Sequence, residues 1–183
     1  MNSRVVAVFC SASEAVPRRC VDLARAVGAG AAARGWTVLT GGQRTSMMAA
    51  VTRGAQLTGG RAVGVIPEVL ADQTDRLCDE LHMTKTIAER KSRMIELADS
   101  LLVLPGGLGT CEELFDSWTA RIIGQHDKPM VLLDPDGHYA GLLGFLGEAE
   151  RTGFVAAKHL SLLTTTTEVD QALTACLPAP VTS

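Results

Sequence analysis

The chain has 183 residues, of which 46% are hydrophobic and 20% are charged, and its formal net charge at pH 7 is -3. This length predicts one domain whose core is large enough to fold without disulfides, and the composition is that of an ordinary soluble protein. A general nucleic-acid binder would be more basic, and an aromatic content of 4% leaves few side chains on which bases could stack.

The first half of the chain alternates predicted strands and helices. Val5 to Cys10 is a continuous apolar run, typical of a strand buried on both faces, and the small polar turn Ser11-Ala12-Ser13 follows it. Helical spacing of apolar residues predicts a helix from Pro17 to Arg34. The next predicted elements are a strand at 36–40, the pair Gly41-Gly42, a helix at 46–57 and a strand at 62–66.

The second half continues the alternation after a stretch without clear periodicity. Residues 68–86 have mixed polarity, so we predict a loop with a short helix or strand near Met83. A helix is predicted at 89–98, and the apolar run Leu101 to Leu104 predicts a strand that ends in a glycine-rich loop. Further predicted elements are a helix to about 124, a strand at 130–133, a helix at 139–151, a strand near 160–163, a helix near 168–177 and a flexible tail at 178–183.

Strands that alternate with helices over short connections imply a mainly parallel sheet covered on both faces. The sequence therefore predicts an α/β protein, with a single Rossmann-like, doubly wound domain over residues 1–177. Ligands bind such sheets beyond the carboxyl ends of the strands. Ser11, Gly41, Gly42 and the loop Pro105 to Thr110 are accordingly expected to line the binding crevice.

Cysteine usage and hydropathy point to a cytoplasmic protein. The five cysteines include no C-x-x-C pair, and their odd number argues against a closed disulfide framework. No segment approaches the roughly 18 apolar residues of a membrane span, and the run at Val5 is shorter than a signal-peptide core of about 7–15 residues. We expect small-molecule partners, with neither a nucleic acid polymer nor a membrane among them.

The loop Pro105-Gly106-Gly107-Leu108-Gly109-Thr110 joins a predicted strand to a predicted helix. Its glycines let backbone N–H groups approach a ligand closely, and the positive end of the helix dipole faces the same point. The loop therefore indicates an anion site, although it is neither a P-loop nor the dinucleotide fingerprint. A tight turn that holds no ligand is the alternative interpretation.

Charged residues flank this loop in the sequence. Glu112 and Glu113 follow it by about one helical turn, where carboxylates would repel a phosphate, so they are expected to face another part of the ligand. Arg90 and Lys91 begin the preceding helix, and the planar fork of arginine suits phosphate and carboxylate. Together they indicate a ligand with a phosphate at one end and a centre of developing positive charge at the other; the alternative is a solvated helix face.

The order and spacing of these residues resemble the LONELY GUY family, the cytokinin riboside 5'-monophosphate phosphoribohydrolases often mislabelled as lysine decarboxylases. The family motif P-G-G-x-G-T-x-x-E stands here at Pro105 to Glu113, and its E-R-K-x-x-M stands at Glu89 to Met94. The likeness extends over nearly the whole chain and includes residues 8–13, 60–67, 124–129 and 136–139.

The resemblance implies hydrolysis of the N-glycosidic bond of a purine nucleoside 5'-monophosphate to free base and ribose 5-phosphate. It implies that Glu113 stabilises the oxocarbenium-like transition state and that Arg90 positions the nucleotide. It also implies a homodimer with the active site near the subunit contact. The residues expected to bind substrate are Lys91, Gly106, Gly107, Leu108, Gly109, Thr110, Cys111, Glu112 and Thr119, together with Ser11, Gly41, Gly42 and Gln43.

Two segments depart from the family pattern. The family's G-G-G-x-x-G-L-M-G is replaced by 41–49, in which Gln43, Ser46 and Ala49 stand at glycine positions, and its T-W-A-Q-L-G reads T-A-R-I-I-G at 119–124. These departures fall where the base or its N6 substituent is expected. We therefore expect a plain or differently substituted purine, such as that of AMP or GMP, to be preferred over an N6-isopentenyl adenine.

Other readings of the sequence remain open. A non-catalytic nucleotide-binding or carrier protein on the same scaffold would keep the glycine loop but need no carboxylate. Cys111 lies in the first turn of a helix, where thiol pKa values fall, but no histidine has the spacing of its base. No H-E-x-x-H motif or Cys/His cluster indicates a metal, and we expect no cofactor. The apolar residues Phe115, Trp118, Ile122 and Ile123 belong either to the core or to a two-fold contact.

Overall fold

The computed structural model describes residues 3–178, so the predicted tail beyond Pro178 lies outside the described residues. The strands are β1 (Val5–Phe9), β2 (Thr37–Thr40), β3 (Arg61–Pro67), β4 (Glu80–Thr84), β5 (Ser100–Val103), β6 (Met130–Leu133) and β7 (Leu163–Thr166). The helices are α1 (Arg18–Ala33), α2 (Ser46–Leu57), α3 (Ile87–Leu97), α4 (Leu108–Ile122), α5 (Ala140–Arg151), α6 (Ala157–Leu160) and α7 (Val169–Ala175), with a 3-10 helix at Glu68–Gln73.

The seven strands form one sheet in the order β4-β3-β2-β1-β5-β6-β7. Every neighbouring pair is parallel, and β1 pairs with both β2 and β5, with Val8 opposite Leu102. The strand order therefore reverses between β1 and β5. This topology confirms the predicted doubly wound α/β domain and places its switch point at the carboxyl ends of β1 and β5.

Helices cover both faces of the sheet, which explains why its central strands are apolar throughout. Val6 and Val8 pack in the core beneath α1, α2 and α7, whereas Ala7 and Phe9 pack in the core beneath α3, α4 and α5. Successive strand residues point to opposite faces, so a strand with a core on each side has no position left for polar residues.

The helices α1 and α2 touch through their backbones. A Cβ atom at Gly28 of α1 would lie 2.0 Å from the Val51 carbonyl oxygen, and one at Gly54 of α2 would lie 2.1 Å from the Arg25 carbonyl oxygen. Each helix thus presents a glycine to the main chain of the other. Because α1 follows β1 and α2 follows β2, this contact fixes the spacing of two segments that leave the same edge of the sheet.

The edge strands are where the sequence prediction was weakest. The strand predicted near 160–163 exists as β7 but begins only at Leu163, because the short helix α6 ends at Leu160 and a turn follows it. The mixed stretch at 68–86 contains the 3-10 helix and β4, which pairs with β3 alone. An edge strand is largely exposed and needs few apolar residues, so β4 carries no clear periodic signal.

Candidate active site

The segments predicted to line the crevice meet at the carboxyl edge of the sheet. Ser11 is buried just after β1, and its N–H donates to the Pro105 carbonyl oxygen at 3.4 Å, which ties the first turn to the glycine loop. Gly41 and Gly42 follow β2 on the other side of β1. Gly42 has a φ of 71°, a left-handed conformation that favours glycine.

The glycine loop runs directly into α4, which begins at Leu108. Gly106 is buried and must lack a side chain, because a Cβ atom there would lie 2.1 Å from Oγ1 of Thr110. Gly107, Leu108 and Gly109 are exposed, and Leu108 is 92% exposed. The first N–H groups of a helix lack intrahelical acceptors, so this end of α4 presents free donors and a positive dipole to a ligand.

The turn between β6 and α5 supports this loop from one side. Nε2 of His138 lies 2.8 Å from the Gly106 carbonyl oxygen, and the Tyr139 hydroxyl donates to the Leu104 carbonyl oxygen at 2.9 Å. The buried carboxylate of Asp134 accepts from the backbone N–H groups of His138 and Tyr139, both at 2.8 Å. The two contacts with the loop span 32 and 35 residues of the chain, so sequence spacing alone does not predict them.

Arg90 and Glu113 form a buried pair beneath the crevice. Nη2 of Arg90 lies 3.3 Å from Oε1 of Glu113, and the two residues are 7% and 6% exposed. Nε of Arg90 donates to the Val65 carbonyl oxygen at 3.2 Å, but Nη2 makes no hydrogen bond with any described residue. The two charged groups are therefore close, but their geometry is not that of a hydrogen bond. Nη2 of Arg90 can thus donate to a ligand.

Gly41 makes room for this guanidinium group. A Cβ atom at Gly41 would lie 1.9 Å from Nη2 of Arg90, so no side chain fits there unless Arg90 moves. The hydroxyl oxygens of Thr45 and Ser46, at the beginning of α2, are also buried with no hydrogen-bond partner among the described residues. Unpaired buried polar groups are costly, and their clustering at one edge is typical of a binding site.

The environment of Glu113 changes its protonation. Burial raises the pKa of this carboxyl from its usual 4.5 to about 7, with Glu112 adding to the rise, while Arg90 and Lys91 oppose it. A carboxyl with such a pKa exchanges its proton near neutral pH. Strong desolvation next to a specific charge partner is characteristic of functional sites.

Lys91 joins α3 to α4. Its Nζ contacts Oε1 of Glu112 and lies 3.3 Å from Oδ2 of Asp116. Burial alone would lower the pKa of Lys91, but the two carboxylates together raise it. Lys91 and Glu112 are thus paired with each other beside the crevice, and their predicted binding of substrate stays a prediction.

The structure places three further residues that were predicted to bind substrate in different surroundings. Gln43 donates from Nε2 to Oε1 of Gln73 at 2.7 Å, so its side chain is held by the 3-10 helix. Cys111 is half-buried in the first turn of α4. Thr119 is exposed six residues beyond Glu113, about 9 Å further along the helix axis, so the structure does not bring it to the loop.

A cavity of about 320 Å³ opens beside the glycine loop. Its walls include Ser11, Met47, Gly106, Gly107 and His138, and an ion pair between Arg19 and Asp136, at 2.6 Å, lies at its rim. A larger depression of about 840 Å³ lies at the opposite edge of the sheet, near Arg4 and Lys128, and contains none of the motif residues. The smaller cavity is therefore the one that adjoins the predicted chemistry.

Fold and site together define a Rossmann-like protein with a glycine-rich loop at a helix N-terminus and a buried carboxyl–guanidinium pair near its switch point. A family model described as possible lysine decarboxylase matches residues 48–176. A cytokinin riboside 5'-monophosphate phosphoribohydrolase of Mycobacterium marinum is 45% identical over 94% of this chain and 93% of its own length. One from Mycobacterium tuberculosis is 44% identical over 95% and 94%. The chain belongs to this family, which confirms the resemblance found in its motifs.

Solved structures share the fold at lower identity. A molybdenum cofactor binding protein from Rippkaea orientalis superposes with a TM-score of 0.75 at 21% identity, over 95% of each chain. The molybdenum cofactor carrier protein of Chlamydomonas reinhardtii gives 0.72 at 24% identity, over 95% and 96%. At these identities the likeness shows the architecture alone. Within residues 3–178, no helix is long and apolar enough to cross a membrane, and no three His, Cys, Asp or Glu side chains cluster as a metal site would require.

Proposed function

We propose that this protein hydrolyses the N-glycosidic bond of a purine nucleoside 5'-monophosphate to free base and ribose 5-phosphate. The observation that carries the proposal is the buried carboxyl of Glu113, with its pKa of about 7, paired to Arg90 just beyond a helix terminus suited to phosphate. The names of the Mycobacterium relatives support the same reaction class.

The 5'-phosphate binds at the beginning of α4. The backbone N–H groups of 107–110 donate to it, and the helix dipole adds to the attraction. Glu112 would otherwise repel an anion at this point, but Lys91 neutralises its charge. The phosphate thereby anchors the nucleotide so that the ribose lies above Glu113.

The glycosidic bond breaks toward an oxocarbenium-like state, in which positive charge develops on the ribose ring. Ionised Glu113 stabilises this charge and accepts a proton from the attacking water. The electron pair of the C–N bond leaves with the base, and water adds its oxygen to the anomeric carbon. The proton released by water balances the proton that the departing base takes up.

Arg90 positions the nucleotide through its free Nη2 donor. A buried guanidinium N–H that makes no hydrogen bond favours a ligand oxygen, because it has lost its water without gaining an aligned acceptor. The same charge keeps the Glu113 pKa from rising further. A non-catalytic carrier of anionic nucleotides would gain nothing from burying a carboxyl at this position.

For the base, we propose a plain or differently substituted purine rather than an N6-isopentenyl adenine. Gln43 forms an antiparallel bridge with Thr74, and its side chain is bonded to Gln73, so the 3-10 helix closes over the end of β2. Ser46 has a φ of 45°, in the left-handed region, at a position where the family motif has glycine. These departures leave less room for a bulky N6 substituent at the position where we expect the base to bind.

The proposed assembly is a homodimer formed through α4, in the cytoplasm. Trp118 of this helix is buried in the core, but Phe115, Ile122 and Ile123 are 37%, 36% and 64% exposed. A second copy that covers them would place the subunit contact on the same helix whose first turn borders the crevice. All five cysteines are free, which fits a reducing compartment.

The direct test is chromatography of the products from AMP, GMP, N6-isopentenyl AMP and CMP, with adenosine as the phosphate-free control and Glu113→Gln as the matched inactive variant. We expect base to be released from a purine nucleotide, far less from adenosine, and with no advantage for the isopentenyl compound. If a nucleotide binds but no base is released from any of them, the carrier function replaces this proposal.

A further inference from the structure

The glycine loop is held by a histidine that the proposed reaction does not use. Nε2 of His138 lies 2.8 Å from the Gly106 carbonyl oxygen. A carbonyl oxygen only accepts hydrogen bonds, so Nε2 must carry the proton, and the ring donates to the loop. His138 lies in the turn before α5 and reaches across about thirty residues of sequence to make this bond.

This bond sets the orientation of a peptide group in the anion site. No peptide bond of residues 3–178 is cis, and in a trans peptide the C=O and the following N–H point in opposite directions. Holding the Gly106 carbonyl toward the His138 ring therefore turns the Gly107 N–H away from that ring. Glycine has no side chain to limit this rotation, so a loop with glycine at 106 and 107 depends on outside contacts for its conformation.

We propose that His138 is a positioning residue for the 5'-phosphate: it aims the Gly107 N–H at the anion without touching the anion itself. The inference rests on the proposed function, whose phosphate it orients. His138 is itself fixed, because Asp134 accepts its backbone N–H and the Tyr139 ring meets its ring edge-on at a centroid distance of 4.7 Å.

A second contact from the same turn makes the support rigid. The Tyr139 hydroxyl donates to the Leu104 carbonyl oxygen at 2.9 Å, so the loop is anchored at its beginning by Tyr139 and at its first glycine by His138. Asp134, which is 6% exposed, holds both donors through one carboxylate. The turn thus supports the loop as one unit, and His138 is its residue nearest the proposed anion site.

The test compares His138→Phe, which keeps a ring but loses the donor, with His138→Gln, whose amide N–H can reach the same carbonyl. His82→Phe, on the edge strand β4, is the control for loss of a histidine elsewhere. Each change is made in the Glu113→Gln protein, and AMP and adenosine are titrated by NMR. Binding is then read without turnover, so failure of the wild-type protein to release base would count against the proposed function alone.

We expect His138→Phe to weaken AMP binding about tenfold, because a partly buried carbonyl at Gly106 loses its donor, and to change adenosine binding less than twofold. His138→Gln should recover AMP binding to within about threefold, and His82→Phe should bind like the parent. The inference is overturned if His138→Phe binds AMP normally, if AMP and adenosine lose affinity equally, or if His138→Gln is as weak as His138→Phe.

Discussion

Replacing Glu113 by glutamine removes a buried charge and nearly preserves the shape of the side chain, so it separates the electrostatics of the site from its packing. Burial raises the pKa of Glu113 from 4.5 to about 7, a difference that corresponds to about 3 kcal/mol between the two protonation states. Because the folded protein holds this proton more tightly than the unfolded chain, the carboxyl stabilises the fold at low pH. That contribution is lost as the pH rises from 4.5 through about 7.

The measurement is urea unfolding of the wild-type and Glu113→Gln proteins at pH 5, 6, 7 and 8, at one protein concentration. The wild-type free energy of unfolding should fall by up to about 3 kcal/mol more than that of the variant over this range. In the variant, Arg90 lacks a charged partner, which changes the free energy of unfolding by the same amount at every pH. The four histidines contribute equally to the pH dependence of both proteins. Parallel pH profiles would refute the raised pKa and, with it, the electrostatic account of the site. In the same variant, turnover should fall by a factor of about 10²–10⁴.

Four further outcomes are expected. Because Glu113 acts in its ionised form, kcat/KM should rise with pH through about 7, and a flat profile from pH 6 to 8 would contradict this role. Gly41→Ala should abolish base release because its Cβ atom meets Arg90, whereas Gly141→Ala, which has open space on α5, should leave activity intact and stabilise the fold by about 0.5 kcal/mol. Cys111→Ala should retain at least half of the wild-type kcat, and inactivity would revive a thiol mechanism. Light scattering at micromolar concentration should give a dimer that Ile123→Glu dissociates, and a monomeric wild-type mass would refute the proposed assembly.

Much of the architecture could be predicted from the sequence because buried parallel strands leave a strong signal. The apolar runs that begin at Val5 and Met130 are continuous because these strands are buried on both faces. The helix at 46–57 has helical periodicity because it is buried on one face. The signal was weak at β4 and displaced at β7, which are edge strands paired on one side only. There, exposure permits polar residues, and a threonine-rich segment such as 163–166 carries little periodicity.

The sequence indicated individual residues of the candidate site but not which of their side chains contact each other. The motif residues Arg90 and Glu113 stand out in the sequence, yet nothing in their spacing shows that both are buried and 3.3 Å apart. Lys91 and Glu112 were both predicted to bind substrate, but their spacing did not indicate that they contact each other. His138 was noted only as part of a matching segment, because its contact with Gly106 depends on the order of β5 and β6 in the sheet.

The reciprocal glycine contact between α1 and α2 makes the geometry of the crevice depend on residues remote from it. Gly28 lies about 15 Å along α1 from its first residue, and Gly54 about 12 Å along α2. A methyl group at either position would push the helices apart, and with them the turns at Ser11 and Gly41 whose separation sets the width of the opening. In a library selected for activity, these two positions should tolerate substitution as poorly as the motif residues do. Their intolerance would then reflect the distance between two turns and not any contact with the nucleotide.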